Sequence, residues 1–179
     1  MPSLRAIYCN MYEIKLCNIN EAEEIYKIYD VCRKAMQSAG IYQWQNEYPT
    51  RDTVKQDIRD KNLYGYYEGE KCVGAVSINT HQDEEYKEID WKGPDENVIV
   101  IHRLAVNPDF QAKGIARLLM DFAEDFAKKE NYSAIRLDSY SQNKRALKFY
   151  ENRGYQKRGE CFFAGRDMPF YCYELIFNE

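Results

Sequence analysis

Nine residues, Gln111–Leu119 (QAKGIARLL), carry the types and spacing most suited to chemistry. Pro108 closes an apolar run, and helical periodicity begins directly after Gly114, although glycine is a poor helix former. Gly114 is either a plain turn residue or a means of bringing bare backbone up to a ligand. The second reading has a definite chemistry. The first amides of a helix lack intrahelical partners, and the helix dipole adds positive charge there, so the place suits phosphate. A Cβ at position 114 would hold such a ligand off. Ala116 is also small, and Lys113 and Arg117 supply charge. The loop has no G-K-[ST] of a P-loop and no G-x-G-x-x-G. The six cysteines form no C-x-x-C pair and have no zinc-ligand spacing with His81 and His102, so they read as reduced, buried small hydrophobes.

The elements around the loop follow from periodicity. Residues 11–17 alternate as a strand. Ile25, Ile28, Tyr29, Cys32 and Met36 share one helical face, with Asn20 as a candidate cap and Glu23 three residues on. Thr50 is positioned to cap a short second helix. Residues 62–79 read as a hairpin turning at 68–71, and the polar stretch that follows as a loop. VIVIHRLAV (98–106) is apolar on both alternating faces, the mark of a central strand covered on both sides. Ile115, Leu118, Leu119, Phe122 and Phe126 form the stripe of the next helix. SAIRLDSYS is a strand, Gly154 closes a short helix, and two strands end the chain. The order is β-α-α-β-β-β-α-β-α-β-β, with the loop inside a central β-α-β unit.

The stretch from Val98 to Gln156 resembles the GNAT superfamily of acyl-CoA N-acyltransferases. The residues that carry the resemblance are L-A-V ending an apolar strand, a proline, Q-x-x-G-x-A opening a helix, then Asn143, Ala146, Tyr150 and Gly154–Tyr155. Many members have a second glycine where this chain has Ala116. The resemblance implies a single α/β domain over residues 1–179. Its sheet would be mixed, mostly antiparallel, of six to seven strands, with a splayed parallel pair formed by the fourth and fifth strands and about four flanking helices. It implies acetyl-CoA as co-substrate, with pantetheine paired to the main chain of Leu104, Ala105 and Val106 at a bulge. Gln111, Ala112, Lys113, Gly114, Ile115 and Ala116 map onto the pyrophosphate loop, with Arg117 beside it and Asn143 and Ala146 at the fourth helix. Tyr150 maps onto the frequent general acid that protonates the departing thiolate. His102 falls where some branches place the base that deprotonates the amine, and a water chain is the alternative. Trp44, Gln45, Tyr48 and Trp91 lie in the segments that build substrate pockets.

The implied reaction is transfer of an acetyl group to a primary amine of a small molecule, amino acid or peptide. A non-catalytic acyl-CoA-binding module is the alternative. Seven acids between Asp83 and Glu96, against Lys87 and Lys92, would attract a cationic acceptor. The net charge of -4 speaks against nucleic acid. No apolar run approaches a membrane span, and the N-terminus has no apolar leader core, so a cytoplasmic monomer or homodimer is expected.

Overall fold

A computed structural model describes residues 12–177. Seven strands alternate with four helices: β1 (Tyr12–Leu16), α1 (Ala22–Ser38), α2 (Arg51–Arg59), β2 (Leu63–Glu68), β3 (Lys71–Asn79), β4 (Val98–Val106), α3 (Ile115–Lys129), β5 (Ala134–Tyr140), α4 (Lys144–Asn152), β6 (Gln156–Cys161) and β7 (Phe170–Ile176). They form one sheet in the order β1-β2-β3-β4-β5-β7-β6. Every neighbouring pair is antiparallel except β4 and β5. The element order and the central place of β4 are as the sequence implies. Met11 and Cys9 lie outside the described residues; the five described cysteines are unpaired and buried.

β4 is apolar on both faces because both are covered. Ile99 and Ile101 join Ile115, Leu119, Met120 and Ala123 of α3 in one core. Val100 faces the other way, into a cluster with Tyr86, Tyr140 and Cys172. A third cluster seats α1 and α2 against Leu63, Cys72, Ala75 and Ala105. The buried seam of α3 is Ile115, Leu119, Met120, Ala123 and Ala127. Phe122 and Phe126, expected in that seam, are half-buried at its border, where both rings meet Tyr64. Gly74 lets α3 sit close, since a Cβ there would lie 3.1 Å from the Ala105 carbonyl and 3.3 Å from Ile115.

The helix caps are partly as expected. Thr50 accepts from the Thr53 amide at the start of α2. The chain enters α1 through a 3-10 turn, Ile19–Glu21, closed by a capping box of Asn18 and Glu21. The cap therefore falls two residues before Asn20, because the 3-10 turn takes up the first orphan amides. The segment before β4, expected as open loop, contains a 3-10 turn at Glu84–Glu88 that buries Tyr86. Among the described residues no helix is long and apolar enough to cross a membrane.

Candidate active site

The site begins where two strands part. β4 and β5 pair only at Val98–Val100 with Ala134–Arg136. Beyond that, β4 runs on to Val106 and β5 to Tyr140 without pairing to each other, which leaves two facing edges with free main-chain groups. Leu104, Ala105 and Val106 lie on this stretch. The Val106 carbonyl is already taken, by Cys32 Sγ at 3.2 Å and Gln111 Nε2 at 3.0 Å.

A bulge turns the end of β4. Ala75 pairs with Ala105 and Ser77 with His102, so β4 carries one extra residue between them. Arg103 sits there with φ +52°. A non-glycine residue in the left-handed region costs about 1–2 kcal/mol, and here the side chain holds it in place. Its guanidinium donates to Asp57 at 2.8 and 2.9 Å, to Tyr48 Oη at 2.9 Å and to Ser77 Oγ at 3.3 Å. Burial raises the Asp57 pKa against the pull of Arg103. The bulge is thus locked to α2 and to the α1–α2 connection, and it re-aims the side chains beside it. Nothing in the sequence marks Arg103, because its partners lie 26 to 55 residues away.

The loop ahead of α3 has the form expected of an anion cradle. Ala112 and Gly114 both take positive φ, +62° and +81°. Gly114 is the N-cap, and no side chain caps the helix. Among the described residues, no main-chain carbonyl accepts from the amides of Ala112 through Arg117. A Cβ at Gly114 would meet no protein atom within 4 Å, so packing does not require the glycine; its conformation and the open space in front of it do. Arg145 donates to Gln111 at 3.1 Å and ties the loop to α4. Asn143 caps α4 by accepting from the Ala146 amide at 3.2 Å, and its own amide donates to Gln43 at 2.9 Å.

A cavity of about 320 Å³ opens beside the bulge. Trp44, Tyr48, His102, Leu104 and Tyr150 line it, as does Asp138. A larger hollow of about 580 Å³ lies by Asn62, Ile78, Phe126 and Tyr132; it shares Arg103 but no other candidate, so size does not mark the site. Gln45 and Trp91 do not line this cavity. Gln45 turns back to the Tyr42 carbonyl at 3.2 Å. Trp91 covers the Arg136 guanidinium at 4.4 Å and donates to the Tyr86 carbonyl, so it packs the fold away from the cavity wall.

The ionisable groups of the cavity differ sharply. Burial raises the Tyr150 pKa, with the Asp138 charge adding to it, so the hydroxyl stays protonated at neutral pH. Among the described residues that hydroxyl makes no hydrogen bond, and Tyr150 lines the cavity. His102 Nε2 lies 3.2 Å from the His81 carbonyl, which can only accept, so Nε2 carries the hydrogen and Nδ1 the lone pair. Burial, with the Arg103 charge beside it, lowers the His102 pKa to about 4. Asp138 on β5 is pushed up to about 6, first by burial, with Tyr86 pulling the other way and Asp83 adding to the rise. Tyr86 Oη donates to Asp138 Oδ2 at 2.7 Å. Nothing in the sequence singles out Asp138, since the strand AIRLDSY also carries Arg136 and Ser139.

A split parallel pair, a bulged strand at its mouth and an uncapped helix start define a transferase scaffold of the acyl-coenzyme type. The chain belongs to the acetyltransferase (GNAT) family, whose model matches residues 22–155. Among curated proteins, N-acetylaspartate synthetase of Danio rerio is 36% identical over 66 residues, 37% of this chain and 23% of that protein. The chain thus spans about a quarter of the length of this relative. A GNAT-family acetyltransferase of Streptococcus agalactiae superposes with TM-score 0.76 at 20% identity, over 94% of this chain and 96% of its own. An N-acetyltransferase of Thermoplasma acidophilum, solved with coenzyme A, superposes with TM-score 0.69 at 17% identity, over 93% and 99%.

Proposed function

We propose that this protein transfers an acetyl group from acetyl-CoA to a primary amine by direct attack in a ternary complex. One observation carries the reading: the free hydroxyl of Tyr150 lines the same cavity as the bulged end of β4. The acyl-pantetheine arm would lie between the parted strands, with main-chain groups of Leu104, Ala105 and Val106 pairing to its amides as a strand would. The pyrophosphate would rest on Gln111–Ala116, with Lys113 and Arg117 nearby and Asn143 and Ala146 at the start of α4. The coenzyme A held by the Thermoplasma protein of the same fold supports this placement.

The amine nitrogen attacks the thioester carbonyl carbon, the C–S bond breaks, and the sulfur leaves as a thiolate. Tyr150 donates to that sulfur. Its raised pKa makes it a weak acid, so hydrogen bonding to the developing charge comes before proton transfer. Trp44 and Tyr48 wall the acceptor side. Asp83 and Asp138 face the same space, which supports an ammonium as the arriving species.

Acetyl-CoA at about 100 times its Kd is expected to stabilise the protein by about 2.7 kcal/mol. Gly114→Val should lose most of that shift. Its cost without ligand is limited to the positive φ, since the space in front of it is empty. Thermal melts with and without acetyl-CoA check this; no shift in the unmodified protein overturns the reading.

A further inference from the structure

We propose that Asp138 is the catalytic base, the carboxylate that takes the proton from the attacking amine. The inference rests on the transferase reading above and adds a residue to its chemistry. Asp138 lies on β5 two residues beyond the last pairing with β4, so it stands on the parted side of the split. It lines the cavity with Tyr150, the proposed donor to the leaving sulfur. One oxygen, Oδ2, is fixed by Tyr86 Oη at 2.7 Å. Among the described residues the other, Oδ1, accepts no hydrogen bond, and Asp138 lines the cavity. A base held by a third group, with its second oxygen free, is the arrangement that proton abstraction requires.

Other titratable and charged groups surround Asp138. Asp83 and Glu85 come from the segment before β4, Arg103 from the bulge, Tyr150 from α4, Cys172 from the facing position on β7, and His102 and Arg166 from the cavity wall. Arg103 is occupied by Asp57. His102 lines the cavity, but burial and the Arg103 charge push its pKa down to about 4, whereas burial pushes that of Asp138 up to about 6. Asp138 is ionised at neutral pH yet keeps appreciable proton affinity, the balance a general base needs.

The ammonium docks against the Asp138 carboxylate and gives one proton to Oδ1, which frees the nitrogen lone pair to attack the carbonyl carbon. As the adduct collapses, the C–S electron pair leaves with sulfur and Tyr150 protonates the thiolate. The second proton that nitrogen loses passes through solvent and restores the Tyr150 hydroxyl. Asp138 returns its proton to solvent when the amide departs.

The test is the pH profile of kcat/KM for the amine, read as thiol release from acetyl-CoA with putrescine, glycinamide and L-phenylalanine as probes. The unmodified protein should show a rising limb centred near pH 6, then a plateau. Asp138→Asn should lower the plateau by about 10²–10⁴-fold and abolish the limb. It should keep the acetyl-CoA thermal shift, which shows that it folds and binds. His102→Gln should leave the limb at the same pH, whatever it does to the rate. A limb that survives Asp138→Asn, or that His102→Gln removes, overturns the assignment alone. Absence of amine-dependent release from the unmodified protein overturns the transferase reading, and the assignment with it.

Discussion

Two carboxylates on one face of the sheet have opposite fates. Glu174 on β7 stands opposite Arg136 on β5, and Asp138 is the next residue of β5 on that face. Glu174 receives hydrogen bonds from the Lys92 and Gly93 amides at 3.0–3.2 Å, from Arg136 at 3.2 Å and from Arg158 at 2.9 Å. Burial pushes its pKa up, but these donors together hold it below the ordinary value. Asp138 is half-buried at the cavity with one donor, and its pKa rises to about 6. The difference is in donor count, and it separates structure from chemistry. A fully satisfied carboxylate anchors: Glu174 ties the segment before β4 to the sheet, with Gly93 so close that a Cβ would lie 2.9 Å from Glu174 Oε1. An under-satisfied carboxylate at a cavity keeps its proton affinity.

The contrast can be broken from either side. Glu174→Gln removes the charge between two arginines and should destabilise the fold by about 3–5 kcal/mol, because it leaves buried cations uncompensated. Chemical denaturation at pH 7 checks this, and a midpoint unmoved by the change would deny Glu174 its anchoring role. Asp138→Asn should do the reverse. The folded pKa of Asp138 exceeds its ordinary 3.8, so the fold carries no penalty below about pH 4. The penalty grows as pH rises from about 4 to 6 and is complete above that. The variant should therefore be more stable by about 1–3 kcal/mol at pH 8 and unchanged near pH 4. A variant less stable at pH 8 would place Asp138 with Glu174 as an anchor. Tyr86→Phe is the smallest of these changes. It removes the donor that favours the charged form, so the limb of kcat/KM should move above pH 6, with about 1 kcal/mol lost in stability. A limb that stays in place would separate Tyr86 from the site.

What the sequence made legible follows the reach of each interaction. β4 was readable because two-sided burial writes itself into nine consecutive residues. The loop at Gly114 was readable because glycine, a small neighbour and a helix start lie together. Asn18 displaced Asn20 as cap because a 3-10 turn and an α-helix begin with the same signals. Trp91 reads as a pocket wall only until Arg136, 45 positions away, is seen beneath its ring. Arg103 and Asp138 were hidden for the same reason. Each owes its state to partners 46 and 52 residues distant, and a strand residue shows nothing of what its bulge or its parted neighbour will face.

The central claim is that this cavity performs acyl transfer with Tyr150 at the leaving sulfur. Its most direct test is amine-dependent thiol release from acetyl-CoA by the unmodified protein and by Tyr150→Phe, with acetyl-CoA affinity measured alongside. The account expects release that saturates with amine, a kcat about 10²–10⁴-fold lower in the variant, and an unchanged affinity for acetyl-CoA. An unchanged kcat in a variant that still binds acetyl-CoA, with product release shown not to limit the rate, would contradict it.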